Sequence, residues 1–276
     1  MGKSDKSKAP PPLIFLHIPK TAGTTLRTVL KRQYTRGRRC EIYTEEAFDA
    51  FRGLSVEARD QIGLLAGHRT YGLHTLFTAA CRYVTVLRDP VARIVSHYEF
   101  VKQNRDHYLH DEVVRKQMDL SAYVTSGISV ETDNCQARIV AGGDAPPFGQ
   151  CGREMLDRAV QNIDRHFAGV GLTEKFDESL CLFQQALGWR LPLYISMNVA
   201  RRRPRAAGLP PETRALIESC NAWDLALYAH ALLQLEANIQ AMGGAFERRL
   251  DRFRKVNRFY GRLWGPVVCI RSRCGL

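Results

Sequence analysis

The chain has 276 residues, 45% of them hydrophobic, enough to bury a substantial core as one domain. Forty lysines and arginines against 28 acidic residues leave a net charge of +12, which implies an anionic partner without choosing among nucleic acid, acidic membrane, polyanionic sugar and phosphorylated nucleotide. No run of about eighteen apolar residues occurs, which excludes a transmembrane helix on length. The eight cysteines form no C-x-x-C pair and no zinc spacing with histidine, so they read as scattered reduced thiols. Pairing of Cys135 with Cys151, or of Cys269 with Cys274, stays open for an exported chain.

Residues 1–11 are a charged, proline-ended lead with no apolar signal-peptide core, read as disordered; a cytoplasmic location is expected. Leu13 to Leu16 then predict a buried strand. It runs into a turn holding Lys20, Thr21, Ala22, Gly23, Thr24 and Thr25, followed by a helix with Leu26, Val29 and Leu30 on one face. This is a phosphate cradle. Backbone N–H groups at a helix start are unpaired and lie at the positive end of the dipole, Gly23 permits close backbone approach, and Lys20 adds a mobile charge. A Walker loop places its lysine after two glycines, whereas here the lysine precedes the only one. An ordinary nucleoside-triphosphate loop is therefore disfavoured.

A polar segment, 35–59, precedes an apolar run from Ile62 to Ala66 that ends in Gly67-His68. A β-branched run, Tyr83 to Leu87, leads into Arg88-Asp89-Pro90. Pro90 suits the first turn of a helix, and Ile94, Val95, Tyr98 and Val101 follow at helical spacing with Ser96 two turns in. Arg88 falls at a strand's carboxyl end, where open α/β sheets bind ligands. Residues 103–166 read as helical and loop-rich, broken at Gly142 to Pro147; residues 169–172 form another short strand. From Pro211 the chain reads as helical. The expected fold is α/β: a central, mostly parallel sheet flanked by helices. Its domain spans 12–242, with a basic helix and tail over 243–276.

The word His17-Ile18-Pro19-Lys20-Thr21-Ala22-Gly23-Thr24-Thr25 resembles the 5′-phosphosulfate loop of sulfotransferases that use 3′-phosphoadenosine 5′-phosphosulfate (PAPS). Within them it is most similar to the branch of heparan sulfate 2-O-sulfotransferase and bacterial carbohydrate-type enzymes. Arg88 and Ser96 match the pair that holds the 3′-phosphate in that family. Asn134-Cys135-Gln136-Ala137-Arg138 resembles its Asn-x-Gln-x-Arg stretch, and 169–189 its strand, acidic turn and helix ending at Gly188-Trp189. The resemblance covers about residues 12–235. It implies sulfuryl transfer from PAPS to a hydroxyl or amine of an acceptor, expected to be a saccharide, with adenosine 3′,5′-bisphosphate as product and no metal.

Under this resemblance the donor is bound by Lys20, Thr21, Ala22, Gly23, Thr24, Thr25, Arg88, Ser96 and Arg203, the last in the arginine-rich run 201–205. Lys20 also faces the leaving-group oxygen. His68 matches the catalytic histidine, a near-neutral general base, with His17 and His74 as alternatives. The branch's His-x-His is Ala66-Gly67-His68 here, which counts against heparan as acceptor. The acceptor pocket is expected in 103–166. A kinase-like phosphotransferase would need a Walker lysine and an acidic magnesium ligand. A nucleic-acid-binding module would explain the charge but not two phosphate sites at strand ends, so no nucleic acid is expected as partner. The basic C-terminal helix either packs on the domain or touches a membrane surface; oligomeric state is left open.

Overall fold

A computed structural model describes residues 10–144, 146–195 and 206–273, with side chains as far as 265. Most of the N-terminal lead and the arginine run holding Arg203 lie outside the described residues. In chain order the elements are β1 (Leu13–Leu16), α1 (Gly23–Gln33), β2 (Arg39–Glu41), α2 (Glu45–Arg52), α3 (Val56–Asp60), β3 (Leu64–Gly67), β4 (Arg82–Leu87) and α4 (Pro90–Gln103). Four helices follow, α5 (His110–Arg115), α6 (Leu120–Thr125), α7 (Cys135–Ala141) and α8 (Arg153–His166). Then come β5 (Phe167–Leu172), α9 (Phe176–Leu187), α10 (Pro211–Cys220), α11 (Ala222–Met242) and α12 (Gly244–Arg273).

The sheet is five-stranded and parallel at every pairing, in the order β2-β3-β1-β4-β5. Parallel strands are covered on both faces, and β1 shows why its four residues are all apolar. Leu13 and Phe15 pack on one face with Leu26, Val29 and Leu30 of α1. Ile14 and Leu16 pack on the other with Ile42, Phe51 and Leu65. The chain goes to one side of β1 for β2 and β3 and to the other for β4 and β5, so the loops at the carboxyl ends diverge around β1. That is where ligands bind in open α/β sheets.

β2 lies within the segment read from sequence as merely polar. It is a three-residue edge strand, half-buried, and its Arg39, Cys40 and Glu41 owe their extended form to pairing with β3 rather than to any apolar pattern. The last residue of β3 is glycine because a Cβ at Gly67 would sit 2.5 Å from the Ile42 carbonyl oxygen. Cys135 and Cys151 are both free thiols, so that pairing is not formed. No helix among the described residues is long and apolar enough to cross a membrane.

The C-terminal helix joins the main core. Phe246 and Phe253 are buried with the β1–α1 cluster, Asn257 Oδ1 accepts from the Tyr194 amide at 2.8 Å, and Arg254 reaches Asp177 and Glu178 at 3.1 and 2.9 Å. Further along, Phe259, Leu263 and Trp264 are exposed. Phe253→Ala should therefore lower stability by about 3–4 kcal/mol, the usual cost of emptying a buried phenylalanine site. Phe259→Ala should change it by less than about 0.5 kcal/mol. Urea unfolding of the two variants checks both.

Candidate active site

The loop between β1 and α1 is held in an unusual backbone shape. Lys20 and Ala22 both take left-handed conformations, with φ of 71° and 62°. Ala22 is the N-cap of α1, no side chain caps the helix, and no acidic residue stands in its first turn. Thr25 and Leu26 donate their amides to the Ala22 carbonyl at 3.0 and 3.2 Å, so it is the amides of Gly23 and Thr24 that face an outside anion. Thr21 Oγ1 donates to the Ile18 carbonyl at 2.9 Å, so its hydroxyl braces the turn from inside. Thr25 is buried and Thr24 exposed.

Gly23 also makes room beneath the loop. Its φ is not positive; what it provides is space, because a Cβ would lie 2.0 Å from Cδ2 of the His17 ring. The ring of His17 fills the underside of the cradle. It stacks on Phe15 with centroids 5.1 Å apart, and Nδ1 shares a 2.9 Å hydrogen bond with the Tyr43 hydroxyl. Burial above all, then His68 and Arg27, depress its pKa from 6.5 to about 3. Neutral and enclosed, His17 supports the loop.

His68 follows β3, the neighbour of β1, and its Nδ1 lies 2.6 Å from the His17 carbonyl oxygen. A carbonyl only accepts, so Nδ1 carries the proton and Nε2 holds the lone pair. Burial lowers its pKa, against the opposing pull of that carbonyl and of Glu131. A cleft of about 450 Å³ lined by Phe48, Arg69 and Tyr71 opens beside His68. Ala66 points into the core at 2% exposure, where an imidazole could not reach the cleft. His74 is bound through Nδ1 to Tyr83 at 2.9 Å. Tyr83 pairs with Ile14 near the amino ends of the strands, so His74 lies away from the site.

Arg88 follows β4, the other neighbour of β1. Its Nη1 donates to the Lys20 carbonyl at 3.1 Å, joining the two words that the sequence separates by 68 residues. Ser96 is buried on the second turn of α4. The Asn-x-Gln-x-Arg stretch explains how Arg88 is held. Gln136 accepts from the Arg88 amide and donates to its carbonyl, both at 2.9 Å, much as a neighbouring strand would. Asn134 Oδ1 accepts from the amides of Trp223 and Asp224 at the start of α11. Asp224 in turn accepts from the amides of Gln136 and Ala137 at the start of α7, at 3.2 and 2.7 Å. Arg138 pairs with buried Asp133. Each helix caps the other, and Arg88 inherits their rigidity.

A third group was invisible to sequence spacing. His97 of α4 pairs through Nε2 with Glu131 and through Nδ1 with the Tyr123 hydroxyl at 2.7 Å, and His107 lies beside them. Among the described residues this is the one set of His, Cys, Asp or Glu whose ligand atoms lie within 4.8 Å of one another. His107 Nδ1 accepts from the Leu109 amide at 3.2 Å, which leaves the proton on Nε2. Lys20 and Arg93 add positive charge around the group. Such surroundings suit hydrogen bonding better than a cation.

The family model for galactose-3-O-sulfotransferase matches residues 3–264. The chain belongs to the galactose-3-O-sulfotransferase family. It is 24% identical to human galactose-3-O-sulfotransferase 2 over 88% of its own length and 66% of that protein's. It is 27% identical to human galactose-3-O-sulfotransferase 3 over 94% and 66%. The Xenopus laevis heparan sulfate 2-O-sulfotransferase 1 is also similar, at 23% identity over 81% of this chain and 70% of that one. The chain thus spans just under two thirds of the length of the human family members.

A buried histidine with a lowered pKa destabilises the fold in acid, because the unfolded chain binds a proton that the folded one refuses. For His17 this effect is absent above the unfolded value of 6.5 and grows as pH falls toward about 3. At pH 5 it amounts to about 2 kcal/mol. His17→Asn, which keeps a hydrogen-bonding atom near Nδ1, should lose this part of the difference in stability between pH 7 and pH 5, as read by denaturant unfolding at the two values.

Proposed function

We propose that the protein transfers a sulfuryl group from PAPS to a hydroxyl of a galactose-containing saccharide. In support, Lys20, Arg88 and His68 emerge at the carboxyl ends of three adjacent parallel strands, in a chain of a sulfotransferase family. The donor fits the residues present: the first amides of α1 are uncapped and no acid stands beside them, while Lys20 and Arg88 supply cations on the same side. The donor brings the activated sulfuryl group and departs as adenosine 3′,5′-bisphosphate.

This chain's own residues then divide the work. The α1 amides and Lys20 hold the 5′-side anion and face the charge that develops on the leaving oxygen. Arg88 and Ser96 hold the 3′-phosphate and so orient the nucleotide from a distance. His68 takes the acceptor hydroxyl proton on Nε2, its Nδ1–H fixed by the His17 carbonyl.

Lactose sulfation followed by mass spectrometry, with calorimetry of adenosine 3′,5′-bisphosphate, tests each role. His68→Ala should lower turnover by about 10²–10⁴-fold and leave bisphosphate affinity unchanged. Lys20→Ala should also reduce turnover in a folded protein, and Arg88→Ala should weaken bisphosphate binding more than it slows transfer. Full turnover by His68→Ala would remove it as the base.

The wild-type pH profile carries a sign. His68 works unprotonated, so turnover should rise with pH through its folded pKa, which burial holds below 6.5, and level off above. Any residual activity of His68→Ala should lack that rise.

A further inference from the structure

Next to Lys20 stands a row of side chains that neither the donor nor the base employs. Lys20 Nζ lies 4.0 Å over the centre of the Phe100 ring. Phe100 meets His107 edge-on with centroids 5.5 Å apart, and His107 stacks on Tyr108 at 4.7 Å and 26°. Phe100 is 37% exposed and Tyr108 70%, so the three rings make a shelf open to solvent that starts at the cradle lysine. Its outer end is anchored: the Tyr108 hydroxyl shares a 3.0 Å hydrogen bond with Ser129. Glu131 stands at the edge of this shelf, with a carboxylate oxygen within 4.8 Å of His107. Lysine, shelf and carboxylate thus lie next to one another at the exit of β1.

We propose that Phe100, His107 and Tyr108 are the platform for the acceptor's galactose ring, and that Glu131 accepts a hydrogen bond from one of its hydroxyls. This rests on the sulfuryl-transfer reading above and adds the acceptor side to it. The chemistry matches an uncharged sugar. Galactose has an axial 4-hydroxyl, which leaves its opposite ring face made of C–H groups that pack on aromatic rings, while its rim of hydroxyls seeks acceptors. Burial opposes ionisation of Glu131, but His97, Arg93 and His107 outweigh it and bring the carboxyl down to about 2. Glu131 is therefore a carboxylate at neutral pH and acts only as acceptor. Its Oε2 is buried against His97. The quarter of the side chain still exposed lies on its remaining atoms.

Tyr108 is the decisive position, since a side chain so exposed can be changed without unfolding the domain. Tyr108→Ala should raise the KM for lactose by about tenfold, the effect of one stacking ring, with bisphosphate affinity and saturated turnover unchanged. Tyr108→Phe, which keeps the ring, should restore a KM near wild type, and Glu131→Gln should raise KM in the same direction. Saturation-transfer NMR of lactose on protein loaded with adenosine 3′,5′-bisphosphate reads the shelf independently of turnover: a signal in wild type that fades in Tyr108→Ala supports it. Wild-type KM and signal in Tyr108→Ala, no lactose signal in wild type, or a KM that moves with Phe48→Ala in the cleft on the other side but not with Tyr108→Ala, would each overturn it. Lactose bound through Tyr108 but never sulfated would instead leave the platform standing and defeat the transfer reaction.

Discussion

Two backbone carbonyls three residues apart organise this site. The His17 oxygen holds the imidazole of His68 at 2.6 Å, and the Lys20 oxygen holds the guanidinium of Arg88 at 3.1 Å. One group arrives from β3 and the other from β4, and the carbonyls belong to the exit of β1 between them. Hydrogen bonds to β1 set the height of both: His17 donates its amide to the Gly67 carbonyl at 3.0 Å, and Thr85 Oγ1 donates to the Leu16 carbonyl at 2.7 Å. A shift in the register of either strand would carry His68 or Arg88 out of place, because side-chain direction reverses with each residue along a strand.

The exit of β1 can do this only in a strained shape. Lys20 and Ala22 in the left-handed region cost about 1 kcal/mol or more each, and they turn the loop so that the His17 and Lys20 carbonyls meet His68 and Arg88 from the neighbouring strands. Packing offsets the cost. The His17 ring occupies the place of the missing Gly23 side chain, touches His68 with centroids 4.3 Å apart, and abuts Tyr43. Tyr43 is in turn covered by the Arg27 guanidinium at 4.4 Å, and Arg27 is clamped by both oxygens of Glu41 at 2.7 Å. The edge strand β2 supplies Glu41, so the least conspicuous strand of the sheet helps to keep His68 in position.

Support for the arginine comes from far along the chain. Asn134, Gln136 and Asp224 link the starts of α7 and α11 to the backbone of Arg88. Asp224 is wholly buried and its pKa is raised by desolvation, against the pull of Arg93 and of the α7 amides. A polar cluster of this kind is costly when incomplete and rigid when every donor is met. Here it connects helices whose other faces form the core with Leu87 and Leu172.

By itself the sequence determined the parts whose chemistry is local. Leu13 to Leu16, the Lys20–Thr25 turn and the face of α1 form one continuous word, and so do Tyr83 to Ser96, because a buried parallel strand and an amphipathic helix leave patterns within a few residues of themselves. His68 was legible for the same reason, as a histidine at the end of an apolar run. β2 was not, because three half-buried residues at an edge take their shape from a partner 25 residues away. Nor was the work of Gly23, which depends on a ring six residues earlier folding beneath it, nor the tautomer of His68, which a carbonyl 51 residues distant decides. The aromatic shelf and Glu131 come from a helix, a loop and a short turn that only packing brings together. Contacts along the chain can be read from spacing; contacts across it exist only once the sheet has set its strands side by side.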